Sequence, residues 1–143
     1  MKILLAVDGS EGASRAARKL IEMAALLKEA PHVELVTVHR PVPKVGGFAS
    51  TVVNPRAIED YYSQEGGKSL APAQALLDEA KIAYTPHILI GEVAQMIVEH
   101  AEKSGCQIIY LGTRGLSAMS SLLLGSVATK VIHLAPVPVV LVR

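Results

Sequence analysis

The sequence predicts an α/β fold: one doubly wound parallel sheet of five strands with helices on both faces. Three observations predict it. Short apolar runs alternate with stretches of helical periodicity along the whole chain, and that alternation lays parallel strands under crossover helices. The first of these runs, Ile3 to Val7, is continuous rather than alternating, as in a strand buried on both faces. The 143 residues are 50% hydrophobic and 19% charged, which suits a single domain, residues 1–143, around one real core. Aromatics are only 3%, so that core must be aliphatic.

Each element follows from its residues. Ile3 to Val7 is the first apolar run, closed by Asp8-Gly9-Ser10. Ser10 is a good N-cap, Glu11 suits a positive helix start, and Ala13, Ala16, Ala17, Leu20, Ala24 and Leu27 recur at helical spacing. The first helix is expected to reach Glu29, before Pro31. Val33 to His39 reads as the second strand, and Pro41, Pro43, Gly46 and Gly47 as a loop. Asn54-Pro55 starts the second helical region, in which Gly66-Gly67 and Pro72 predict a break or kink. Tyr84 to Ile90 is a third strand. Glu92 to Lys103 is a helix stopped at Gly105. Gln107 to Leu111, Ser126 to Leu134 and Val139 to Val142 complete the series as strand, helix, strand.

Composition excludes several functions. Fourteen basic and thirteen acidic residues leave a net charge of +1 with no basic run, which argues against nucleic-acid binding. Few aromatics argue against a base-stacking platform. A lone cysteine, Cys106, excludes an internal disulfide, and no Cys/His spacing suggests zinc. No apolar stretch is long enough to span a membrane, and the reading is a cytoplasmic protein.

In open parallel sheets ligands bind beyond the carboxyl ends of the strands. Those ends are Asp8, His39-Arg40, Gly91 and Gly112. No GxxxxGK[ST], no GxGxxG after the first strand, no GxSxG and no acidic pair for a phospho-accepting receiver is present. What is present is Gly112-Thr113-Arg114-Gly115 and, nine residues on, Gly125-Ser126. Glycines there let backbone N–H groups face a ligand. Gly125-Ser126 opens the last helix, whose start favours an anion. Glycines alone fit turn chemistry equally well.

Together, the opening ILLAVDGS, the GTRG–x9–GS stretch and the ending APVPVVLVR make the chain resemble the universal stress protein family over its whole length. The pattern is similar to that of the ATP-binding branch. The resemblance implies an adenine-nucleotide α-hydrolase-like fold with strand order 3-2-1-4-5. It implies ATP, with Mg2+ helping to neutralise phosphates. Ala6 and Val7 would line the adenine pocket and Asp8 would hydrogen-bond the ribose. The backbone of Arg40 would meet the adenine edge. Gly112, Thr113, Arg114, Gly115, Gly125, Ser126 and Val127 would hold the phosphates. Arg40 and Ser120-Ser121 depart from the family pattern, leaving Arg114 and Lys130 as the positive side chains near the phosphates. The resemblance also implies a homodimer joined across the last strands, and an apolar edge strand at Val139 to Val142 with no following chain to cover it calls for the same pairing.

The remaining residues read as structural. Asp8 alone could be a turn or cap residue. His39 reads as satisfying a strand-end hydrogen bond, and His87, His100 and His133 as surface or packing residues. Cys106 reads as an inert small hydrophobe, and Tyr61-Tyr62 as an exposed pair. With no general base in the phosphate loop, the functional expectation is an ATP-dependent sensor or switch with unknown protein partners, its mobile element the segment from Pro41 to Asn54. A slow ATPase or self-phosphorylating enzyme using Thr113, Ser117 or Ser126 is the alternative. A nucleotide-free interaction dimer is the second.

Overall fold

The computed structural model describes residues 1–42, 54–116 and 124–143. Its strands are β1 (Lys2–Ala6), β2 (His32–His39), β3 (Tyr84–Ile90), β4 (Ile108–Gly112) and β5 (Val139–Val142). Its helices are α1 (Glu11–Ala24), α2 (Pro55–Glu79), α3 (Val93–Lys103) and α4 (Ser126–Leu134). All strand pairs are parallel, in the order β3-β2-β1-β4-β5. This is the expected doubly wound sheet.

Strand alternation splits the core into two layers. Ile3, Leu5, Val33 and Leu35 face α1 and α2, packing on Ala16, Ala17, Leu20, Leu70 and Leu77. Leu4, Val36, Ile109 and Leu111 face α3 and α4, packing on Ala94, Ile97, Ala128 and Val131. The core is mainly aliphatic, with Tyr110 of β4 its aromatic member in the first layer, and small alanines on the helices let the sheet approach closely. Strand order reverses at β1, which lies between β2 and β4. The connections after β1 and β4 therefore part on opposite faces, and a crevice opens beyond those two strand ends.

Three expectations are corrected. First, α1 ends at Ala24, not Glu29: Leu26 N and Leu27 N donate three residues back to Met23 O and Ala24 O, tightening the last turn. Leu26 then stands in solvent, 77% exposed.

Second, α2 does not break. It runs 25 residues through Gly66, Gly67 and Pro72. An interior proline costs about 3 kcal/mol and each glycine about 1. Burial of Leu70 and Leu77 stabilises by roughly 1.5–3 kcal/mol each, and Tyr62 and Ala73 are buried beside them. Gly66 also has a packing reason: a Cβ there would lie 2.7 Å from Ile88 Cγ1 and Cγ2 on β3.

Third, Tyr61-Tyr62 is not an exposed pair. Tyr61 is exposed, whereas Tyr62 is buried and its hydroxyl accepts a 2.7 Å hydrogen bond from Val42 N. It fixes the chain as it leaves β2. Most of the Pro41–Asn54 segment, together with Ser117 and Ser120-Ser121, lies outside the described residues.

Candidate functional site

Beyond the ends of β1 and β4 lies a cavity of about 310 Å3. Ten of the eleven residues singled out in the sequence line it: Ala6, Val7, Asp8, Gly112, Thr113, Arg114, Gly115, Gly125, Ser126 and Val127. Arg40 does not; it is exposed and outside the lining. The apolar wall is completed by Val36 and Val38 of β2, Val93 and Ile97 of α3, and Ala13 and Ala128. These the sequence reading missed, although two-residue periodicity along VELVTVH already puts Val36 and Val38 on one face.

Backbone-to-backbone approach shapes the polar end. A Cβ at Gly12 would lie 2.7 Å from Arg114 O, and one at Gly112 would lie 2.9 Å from Gly12 C and O. The first turn of α1 therefore rests directly on the chain leaving β4. Gly12, in DGSEG, is a second residue the sequence reading missed. Thr113 N donates to Val142 O at 2.8 Å, and Gly125 N donates to Thr113 O at 2.7 Å. These bonds hold the loop end and the start of α4 side by side.

The four helix starts differ. Ser10 Oγ caps Ala13 N in α1, Asn54 Oδ1 caps Arg56 N in α2, and Glu92 Oε2 caps Gln95 N in α3. α4 has Gly125 at its N-cap and no side-chain cap. Its first N–H groups, on cavity-lining Ser126, Val127 and Ala128, precede the first helical hydrogen bond, Thr129 N to Gly125 O.

Among the described residues, Asp8 is the only acid in the lining. Its Oδ1 accepts from Ser10 N and its Oδ2 from Leu116 N, both at 3.0 Å. It thus ties the β1–α1 turn to the β4 loop, the turn role foreseen as its plainer reading. Each oxygen keeps a further lone pair for a ligand hydroxyl. A Cβ at Gly115 would run into the Asp8 carboxylate. Lys130, expected near the phosphates, instead pairs with Glu92 at 3.2 Å outside the cavity. The backbone N–H of Gln95 and the Lys130 ammonium hold the Glu92 carboxyl below its ordinary range. Arg114 is the only cationic side chain in the lining among the described residues.

The histidines correct the sequence reading twice. The buried His39 Nε2 finds no hydrogen-bond partner among the described residues; its ring sits 6.5 Å from that of Tyr62. His87 and His100 are not scattered: both converge on Glu34, a carboxylate buried in β2. Burial pushes the Glu34 carboxyl up, but hydrogen bonds from His87 and His100 and the nearby charges of His87 and Lys2 outweigh it and hold it low. Burial, then the neighbouring His87, hold His100 below its ordinary value against the pull of Glu34. Cys106 is buried as expected, and burial pushes its thiol up to about 11.

Comparisons with known proteins agree with this geometry. The model of the universal stress protein family matches residues 1–143. The "Universal stress protein in QAH/OAS sulfhydrylase 3'region" of Thermus aquaticus is 35% identical over 99% of this chain and 97% of its own. The universal stress protein YxiE of Bacillus subtilis is 30% identical over 99% of this chain and 98% of its own. Among solved structures, the universal stress protein from Archaeoglobus fulgidus in complex with dAMP is 26% identical, with a TM-score of 0.67 over 100% of this chain and 98% of that one.

Proposed function

The chain belongs to the universal stress protein family of stress-response proteins, and from that premise we propose that it is a cytoplasmic, ATP-binding regulatory protein that acts as a nucleotide-dependent sensor or switch. The observation that carries the reading is the cavity itself. It combines an aliphatic wall, a carboxylate and an uncapped helix start at the switch point of the sheet. The relative solved with dAMP supports an adenine nucleotide as the class of ligand.

In this reading adenine lies against Ala6, Val7, Val36 and Val38. The ribose hydroxyls donate to the free lone pairs of Asp8. The phosphates lie over Gly112–Gly115 and the start of α4, where backbone N–H groups and the helix dipole favour anions. Arg40, whose side chain is outside the lining, takes part through its backbone. With Arg114 the single lining cation among the described residues, Mg2+ held on the phosphates, beside the Thr113 and Ser126 hydroxyls, would complete the neutralisation. Both oxygens of the only lining acid already accept backbone N–H groups. Among the described residues no second carboxylate lines the cavity to orient a nucleophile, so efficient hydrolysis is not expected. A bound nucleotide would instead bias conformation at the strand ends.

The same reading includes a homodimer through β5, whose outer edge has no strand partner among the described residues. Leu141→Pro, which removes an edge donor, should convert the dimer to monomer in sedimentation velocity. A parent that already sediments as a monomer would refute the dimer. The test of the nucleotide site is direct. Protein purified without added nucleotide is denatured, and the supernatant run on anion exchange; calorimetry with ATP and Mg2+ follows. Co-purifying adenine nucleotide or one-to-one binding is expected. Neither signal in the parent would sink the proposal, and phosphate release well above buffer would favour the slow ATPase instead.

A further inference from the structure

Glu34 lies in β2 between Val33 and Leu35, both fully buried, and is itself only 6% exposed. A carboxylate in such a place must be paired. Its pairing is unusual in form. His87 from β3 and His100 from α3 both aim Nε2 at the same oxygen, Oε2, at 2.6 and 3.5 Å. The two imidazole rings stand 4.3 Å apart, centroid to centroid. Two elements each deliver a nitrogen to that one oxygen, so both of its lone pairs are engaged by imidazoles. The other oxygen, Oε1, is faced by Lys2 Nζ at 3.6 Å and His32 Nε2 at 3.8 Å, and His32 is bonded to Thr85 Oγ1. The carboxylate is therefore anchored on one side and presented on the other.

We propose that Glu34, His87 and His100 form a binding site for one divalent transition-metal ion of the zinc class, which clips α3 to β2 and β3. Their three donor atoms lie within 4.8 Å of one another. On a tetrahedral ion with bonds of about 2.0–2.2 Å, donors sit roughly 3.3 Å apart, so rotamer shifts of about 1 Å bring all three into place. Two imidazoles with one carboxylate is an established zinc ligand set that leaves a fourth position for water. The Ser104 hydroxyl, 3.2 Å from His100 Nε2, would release that nitrogen to the ion. The His87 side chain is 27% exposed and gives the ion a route in, while Lys2, 41% exposed, can swing away as the cation arrives. The site is separate from the nucleotide cavity but shares its walls. Val36 follows Glu34 by two residues on the same face of β2, and Ile97 precedes His100 by one turn of α3.

The test uses the full chain, stripped with chelator and dialysed into chelator-free buffer. Zinc sulfate titrated into it should bind at one equivalent, and the transition temperature should rise. His87→Gln and His100→Gln should each weaken binding by about 100-fold or more, whereas His133→Gln should not change it. Failure of the parent to bind zinc would overturn the proposal. So would parent-like binding in His87→Gln. Should either variant misfold, cobalt(II) in the parent decides: paramagnetic shifts on the His87 and His100 ring protons are expected, and shifts confined to other histidines would overturn the site. None of these readouts depends on ATP.

Discussion

Two regions share the α3/α4 face of the sheet and hold charge in opposite ways. At the carboxyl ends of β1 and β4, the protein offers backbone. Glycines bring main chain against main chain, the α4 start has no side-chain cap, and Arg114 is the single lining cation among the described residues. Deeper along β2, the protein offers side chains. Glu34 is enclosed by His87, His100, His32 and Lys2. The first region is left open for an outside anion. The second is already internally paired, so it contributes to the stability of the empty protein. Near-neutral net charge thus conceals two sites of opposite make: a backbone-lined cavity proposed for an anion and a buried side-chain cluster proposed for a cation.

Breaking each region separately should give different losses. Glu34→Ala has the largest expected effect on stability. It leaves two imidazoles and a lysine around an empty, buried space, and removing one partner of such a cluster destabilises by about 3 kcal/mol. Denaturant unfolding should show it, with nucleotide affinity little changed. Gly115→Val and Gly125→Val should do the reverse. Added side chains there meet the Asp8 carboxylate and Thr113 O, so ATP affinity should fall about 100-fold, near 2.7 kcal/mol, while the fold survives.

Acid should sharpen the contrast. His100 and Glu34 both titrate below their ordinary values in the folded chain, so the unfolded chain takes up these protons at higher pH. Stability should therefore hold above about pH 6.5 and fall below it as His100 charges. It should fall again below about pH 4.5 as Glu34 is neutralised. Thermal melts from pH 8 to 4 check this, and His100→Gln should flatten the upper step. The smallest effect belongs to Lys130→Ala. Its exposed pairing with Glu92 lies outside the cavity, so ATP affinity should change by less than about twofold.

The difference in legibility between the two regions has a physical cause. The carboxyl-end cavity is built from short local stretches, ILLAVDGS and GTRG–x9–GS, whose glycines and helix start sit together in the chain. Most of the nine elements among the described residues are likewise legible in apolar periodicity, because β1, β2 and β4 are buried along most of their length, whereas the strand order 3-2-1-4-5 rests on the family resemblance. Tertiary distances hid the rest. Glu34, His87 and His100 span 66 positions with no ligand spacing, and only the β2–β3 register and the α3 crossover bring them together. The break expected in α2 failed for the same reason. Glycine and proline act locally, whereas Leu70 and Leu77 stabilise the helix through α1 and β2, which its own sequence does not display. Gly12 escaped notice because its partner, Arg114 O, lies about a hundred residues away.

Isothermal titration of ATP and Mg2+ into the parent and into Gly125→Val tests the central claim most directly. The account predicts one-to-one binding to the parent and about 100-fold weaker binding to the variant, with both proteins melting alike. No heat of binding in the parent, or equal affinity in the variant, would contradict it.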